Sequence, residues 1–313
     1  MSLKILFMGT PFFAVPILRA INETKNKVVE VYTQPPRKKN RGQKINFSAI
    51  HEYSKSINIK VRHPDKLNTK KEFEYIKNLC PDVVVVVAYG KIIPKNFLNI
   101  ENIKFINVHA SLLPKWRGAA PIQRAIMNLD KKTGVSIMKI APKLDAGPVL
   151  ISSELKILSD TNYEDLSNRM SKLGAELILK SLELIKRNKD KYTNQDEKEA
   201  SYAKKIDKSE SKINWNDKAK KIIAKINAFN PNPGCWFSLM GSRIKIIKAK
   251  EVTLDGTPGE ILDNSFTIGC SENAVKIVEL KKEGKQIVNA NEFLKGNTLK
   301  VGYNLNEDDQ LSN

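Results

Sequence analysis

Residues 105–121 read Phe-Ile-Asn-Val-His-Ala-Ser-Leu-Leu-Pro-Lys-Trp-Arg-Gly-Ala-Ala-Pro. The apolar start predicts a strand over 105–108 that delivers two polar side chains two positions apart. Side chains at i and i+2 leave a strand on the same face, so the Asn107 carboxamide and the His109 imidazole point together. Pro114 then breaks the chain, and Trp116, Arg117 and Gly118 follow in a loop. The chain has only three histidines, and this one sits where a strand stops and a pocket can begin. Open α/β sheets place their chemistry at such strand ends.

Outward from this point the sequence alternates. Strands are expected over 3–8, 28–33, 57–61, 82–87, 135–140 and 149–157. Helices are expected over 12–21, 48–56, 70–79, 122–127 and 163–187. The five valines at 83–87 form a continuous β-branched run, as in a strand buried on both faces of a parallel sheet. The alternation predicts an α/β fold with a doubly wound, mostly parallel sheet over residues 1–188. Residues 189–206 turn polar and mixed in charge, which predicts a basic linker. Beyond it, 207–313 offers a helix over 217–229. Short strands follow over 244–249, 259–262, 265–270 and 274–280, and this pattern predicts a smaller C-terminal β-barrel.

The chain of 313 residues carries a formal charge of +19. Such an excess implies an anionic partner, nucleic acid first. The residues from Ile206 onward hold 16 basic and 14 acidic groups against 37 and 20 before it, so the excess lies with the candidate chemistry. Arg37, Lys38, Lys39, Arg41 and Lys44 form a run of five cations with no acid between Glu30 and Glu52. A solvated loop explains such a run, and so does phosphate contact. Cys80, Cys235 and Cys270 are odd in number and without metal spacing. No metal and no disulfide framework is expected, and reduced thiols in a cytoplasm fit best. No stretch reaches the length of a membrane span. Gly9-Thr10-Pro11 follows the first strand, yet no Gly-x-Gly-x-x-Gly fingerprint is present and no dinucleotide is expected.

Several of these motifs, in this order, resemble the folate-dependent formyltransferases. The family's reactive Asn and His are followed by Ser-Leu-Leu-Pro and Arg-Gly, as here. Met8-Gly9-Thr10-Pro11-Phe12-Phe13 resembles its first strand and turn, and Ala88-Tyr89-Gly90 with Pro94 its folate-side loop. Leu144-Asp145-Ala146-Gly147 resembles the segment with its catalytic aspartate. Ala228-Phe229-Asn230-Pro231 and Gly234-Cys235-Trp236 resemble the start of its C-terminal domain. The likeness runs nearly the whole length. It is strongest to the branch that formylates the methionyl group of initiator transfer RNA for translation initiation.

The resemblance implies a Rossmann-like catalytic domain, a C-terminal barrel of oligonucleotide-binding type, and 10-formyltetrahydrofolate as co-substrate. Asn107, His109 and Asp145 would be catalytic. Ser111, Leu112, Leu113, Pro114, Ala88, Tyr89 and Gly90 would flank the folate. Arg37, Lys38, Lys39, Arg41, Lys44 and Arg117 would meet the initiator methionyl-tRNA, and the enzyme would act as a cytoplasmic monomer. From the residues alone, Asn107 could be a turn residue, His109 a core histidine and Asp145 a loop cap. Arg117 could pair with a phosphate or with the folate's glutamyl tail. Trp116 could stack on a base or simply pack.

Overall fold

A computed structural model describes residues 2–39, 44–297 and 299–310. In chain order the elements are β1 (Lys4–Gly9), α1 (Val15–Asn22), β2 (Lys27–Tyr32), β3 (Arg37–Lys39), β4 (Lys44–Asn46), α2 (Ala49–Ser56), β5 (Val61–Arg62), α3 (Lys70–Leu79), β6 (Val83–Val87), α4 (Lys95–Leu98), β7 (Lys104–His109), β8 (Arg117–Gly118), α5 (Pro121–Met127), β9 (Lys132–Lys139), β10 (Val149–Lys156), α6 (Tyr163–Lys186), β11 (Tyr202–Ala203), α7 (Ala219–Phe229), β12 (Cys235–Leu239), β13 (Ser242–Val252), β14 (Thr267–Gly269), β15 (Ala274–Lys282), β16 (Ile287–Asn289), α8 (Ala290–Lys295) and α9 (Leu305–Gln310). The chain divides into two compact units. The first holds residues up to Pro121, Lys132–Lys156 and Ser167–Ala203, and the second holds Ile122–Lys131, Ile157–Leu166 and the chain from Lys204 onward.

The first unit is built on a seven-stranded sheet in the order β10-β9-β7-β6-β1-β2-β5. From β1 the chain winds outward through β2 and β5, then returns to place β6 against the other side of β1. That reversal opens a crevice at the carboxyl ends of β1 and β6. The valines of β6 are at most 7% exposed, and burying each contributes about 1.5–3 kcal/mol as an upper estimate. The antiparallel edge strand β10 instead alternates half-buried and exposed residues, as expected where one face meets water. Gly9 ends β1 because there is no room for more. A Cβ there would lie 2.7 Å from the Phe7 ring and 3.2 Å from the Val87 carbonyl. In the same way α6 comes close to α1 and β7 at Gly174, where a Cβ would sit tightly against Ile17 and Val108, at 3.1 and 3.2 Å.

Helix ends follow their local chemistry. Ser48 caps α2 by accepting from the His51 N–H, and Thr69 caps α3 by accepting from the Glu72 N–H. Such caps contribute about 1 kcal/mol each. The predicted strand at 57–61 shrinks to Val61–Arg62, because Asn58 takes a left-handed turn at φ 58°.

The second unit carries a five-stranded antiparallel sheet, β12-β13-β15-β14 with β16 also on β15. Helix α7 packs across it, and Trp215, Phe237, Phe266 and Phe293 form an aromatic ladder in its core. The strand expected at 259–262 is irregular chain with single bridges, Glu260 to Asn304 and Ile261 to Ile268. On β13 and β15, Lys245 lies opposite Lys281 and Lys250 opposite Lys276.

Residues 189–203, expected as part of a linker, instead lie along the first unit. Thr193 bridges to Val149, and β11 pairs with β8 in parallel. The polar composition misled because Gln195, Glu197 and Ser201 turn their polar groups to Arg117 and to backbone of the first unit.

Candidate active site

Strand β7 brings Asn107 beside Val86 of β6 and His109 beside Ser136 of β9. His109 is 5% exposed. Its two nitrogens face two acceptors. Nε2 lies 2.9 Å from the Trp116 carbonyl, and Nδ1 lies 3.6 Å from Asp145 Oδ2. A carbonyl can only accept, so Nε2 carries a proton. That leaves Nδ1 as the ring nitrogen turned toward the Asp145 carboxylate. The Asn107 side chain is half-buried, and its carboxamide takes no hydrogen bond among the described residues. A donor is thus left over beside the imidazole.

Asp145 reaches this place from the loop after β9, 36 positions downstream of His109. Its Oδ2 accepts from the Gly118 N–H at 2.9 Å. Its backbone sits at φ 46°, in the left-handed region. That conformation costs a non-glycine residue about 1 kcal/mol, so neighbours must hold it. They come from the strap at 195–203. Gln195 Nε2 donates to the carbonyls of Asp145 (2.9 Å) and Gly147 (2.6 Å), while Gln195 Oε1 accepts from Arg117 Nε at 3.0 Å. The Ser201 hydroxyl accepts from the Trp116 N–H, and the Ser201 carbonyl from the Arg117 N–H. Gly118 is required where the strap crosses. Its φ is 123°, and a Cβ would stand 2.7 Å from the Ala203 carbonyl.

The structure brings Asp145 to His109, with Asn107 two positions earlier on the same strand, and it corrects several neighbours. Arg117 is fully buried, held by Gln195 and by Glu197 at 2.9 Å, so it reaches no phosphate. Its charge marked it as a nucleic-acid contact, but its partners lie 78 and 80 residues away. Arg117 and Lys143 together hold the Glu197 carboxyl down at about 2. Ser111 is also fully buried, and its hydroxyl donates to the Lys115 carbonyl at 2.5 Å. The Tyr89 ring is part of the core beside β1 and β6. Burial first, and Glu72 second, push its hydroxyl well above the usual range. Only the Tyr89 backbone belongs to the crevice, with its carbonyl accepting from Thr10 Oγ1 and Gln34 Nε2.

Exposed Ala88 (φ 46°) and Gly90 (φ 80°), with half-buried Leu112, Leu113 and Pro114, remain at the crevice. Sequence reasoning missed three exposed apolar side chains on the same set of loops: Phe12, Ile92 and Leu144 at 64%, 87% and 60%. Apolar side chains left in water on the loops of a crevice are a surface for a flat, apolar ligand. Of the basic run, Arg37 is exposed, and Lys38, Lys39 and Lys44 lie on the paired strands β3 and β4. Arg41 lies outside the described residues.

A switch-point crevice with a carboxamide, an imidazole and a carboxylate at one strand end defines an α/β enzyme domain, here joined to an antiparallel β unit. The chain belongs to the formyl transferase family. The family's N-terminal formyl transferase model matches residues 3–182, and its formyl transferase C-terminal domain model matches 205–298. The chain is 50% identical over 304 residues to a methionyl-tRNA formyltransferase of Pelagibacter ubique, covering 96% of this chain and 98% of that one. It is 41% identical to a methionyl-tRNA formyltransferase of Parvibaculum lavamentivorans, with 96% and 99% covered. Two solved structures share the fold at low identity. One is an N-formyltransferase from Helicobacter canadensis in complex with folinic acid and dTDP-3-aminofucose (TM-score 0.67, 21% identical, 90% of this chain and 100% of that one). The other is HypX from Aquifex aeolicus in complex with tetrahydrofolic acid (TM-score 0.66, 20% identical, 94% and 47%).

Proposed function

We infer that this protein transfers a formyl group from 10-formyltetrahydrofolate to the α-amino group of methionyl initiator tRNA. The single observation that carries the chemistry is the approach of Asp145 to His109 at the end of β7, with Asn107 two positions earlier on the same strand. The folate supplies the formyl group, and this chain's residues do the rest. Amine attack puts negative charge on the formyl oxygen. The Asn107 N–H is the donor available to that oxygen, because His109 Nε2 is engaged by Trp116. Attack also leaves an excess proton on the amine nitrogen. The Asp145–His109 pair takes that proton and returns one to folate nitrogen 10 as the old C–N bond breaks, so protons balance. No side-chain nucleophile is needed, since the amine is itself the nucleophile.

Ala88, Gly90, Leu112, Leu113 and Pro114 hold the folate, with Phe12, Ile92 and Leu144 covering it from the loops. Arg37, Lys38, Lys39, Arg41 and Lys44 meet the acceptor end of the RNA. The lysine pairs of β13 and β15 support backbone contact by the second unit. Like charges placed opposite each other cost stability, and a polyanion relieves that cost. Three free cysteines fit a reducing cytoplasm, and a monomer is the state we assign.

The test is direct. The protein is incubated with 10-formyltetrahydrofolate and with methionylated initiator and elongator tRNAs, and formyl-methionine is measured. Transfer to the initiator is expected. Transfer to a small amine or sugar nucleotide alone would overturn the reading.

A further inference from the structure

The segment between α6 and β11 does more than connect. We infer that Gln195 is a positioning residue for Asp145, locking the backbone of the catalytic carboxylate to the loop that holds His109. The inference rests on the proposed function only through the role given to Asp145.

The bonds around Asp145 close into a ring. Asp145 Oδ2 accepts from the Gly118 N–H, and Gly118 follows Arg117 in the chain. The Arg117 side chain donates from Nε to Gln195 Oε1, and Gln195 Nε2 returns to the Asp145 carbonyl. The second N–H of the same amide goes to the Gly147 carbonyl, on the far side of Asp145. One carboxamide therefore spans the turn that carries the carboxylate. Its orientation is fixed by its partners: a flipped amide would set oxygen against two carbonyls and N–H against a guanidinium. The turn needs this hold because Asp145 is left-handed at φ 46°. Trp116, on the other side of Arg117, presents its carbonyl to His109 Nε2. Arg117 thus stands between the two backbone groups that touch the imidazole and the carboxylate, and Gln195 ties that pair to the Asp145 turn. A misplacement of about 1 Å in such a constellation costs up to about a hundredfold in rate.

The test uses the full chain, with Gln195→Ala, Gln195→Glu, Asp145→Asn and the double variant Asp145→Asn/Gln195→Ala. Two quantities are read: the single-turnover rate of formyl transfer with the KM of each substrate, and the NMR titration of His109, with His51 and His63 as internal references. Gln195→Glu keeps an acceptor for Arg117 but cannot donate to the two carbonyls, so it stands in should the alanine variant fail to fold. Both single Gln195 variants are expected to slow transfer about tenfold to a hundredfold with KM nearly unchanged. They should move the His109 titration in the direction that Asp145→Asn moves it. In the Asp145→Asn background, loss of Gln195 should change neither quantity. Equal losses in both backgrounds, a Gln195→Glu enzyme at full rate, or a His109 titration unmoved by the Gln195 variants would each overturn the inference. If the wild type fails to formylate methionyl-tRNA, the functional reading falls, and the titration alone decides the role of Gln195.

Discussion

The end of β7 and the β13–β15 ladder handle polar side chains in opposite ways. Around His109 the contacts are specific: the ring nitrogens face the Trp116 carbonyl and the Asp145 carboxylate, the carboxylate has a backbone donor, and the buried Arg117 is held by two side chains. On β13 and β15 two lysine pairs face each other, Lys245 with Lys281 and Lys250 with Lys276, beside a single Lys248–Glu279 pair. Fixed geometry suits a transition state that tolerates little displacement. Unbalanced charge suits a polyanion, whose phosphates are met by position-tolerant attraction that salt weakens. The contrast predicts that damage to the two regions will differ in kind.

The largest effect should come from the site itself. Asn107→Ala, His109→Ala and Asp145→Asn should each lower kcat by about 10²–10³-fold. The loss should be the same at low and high salt, as steady-state kinetics across a salt series will show. Next comes Arg117→Leu, which leaves the Gln195 oxygen without its donor and releases the strap. A cost of about 2 kcal/mol is expected, seen as a Tm lower by about 4–8 °C. Arg117→Lys should not restore it, because an ammonium cannot serve both Gln195 and Glu197 with the fork of a guanidinium.

A smaller effect of the other kind is expected from Lys276→Ala/Lys281→Ala. It should raise the KM for tRNA, leave kcat alone, and make the slope of log affinity against log salt shallower by about 1–2. Burial first, and Lys281 second, hold the Lys245 ammonium below its usual value. Stability should therefore stay level or rise by a few tenths of a kcal/mol, to about 1 at most, as like charges separate. A double variant that lost kcat instead would erase the distinction between the two regions.

The smallest effect concerns acid. Arg117 first, and Lys143 second, hold Glu197 at about 2, against an ordinary 4.5. A depressed carboxyl stabilises the fold above its unfolded value, and the contribution fades as pH falls toward the folded value. The Tm gap between wild type and Glu197→Gln should be constant above about pH 5 and narrow between about 4.5 and 2. A gap that persisted at pH 2 would remove Glu197 from the strap.

Much of the first unit was legible because its signals are local. The valine run of β6 can hardly be anything but a buried strand, and the two-residue spacing of Asn107 and His109 is a property of strands in general. Asp145 was legible only through the resemblance. Nothing in its own neighbourhood says that a left-handed loop will fold back onto β7. Arg117 was misread because sequence reports charge but not burial, and Gln195 was overlooked because a polar stretch reads as solvent-loving when its partners are out of view. Tyr89 shows the same limit within one residue. Its carbonyl lies at the crevice while its ring turns into the core, and no pattern of residue types distinguishes the two.

The pairing of β11 with β8 keeps the chain after α6 with the first unit as far as Ala203. A fragment ending after α6, the natural place to stop by helix count, would discard the amide behind the catalytic turn and one strand of a two-stranded ladder. Any attempt to express or transplant the catalytic half should carry those last fifteen or so residues with it, and has to keep in view that Ile122–Lys131 and Ile157–Leu166 group with the second unit.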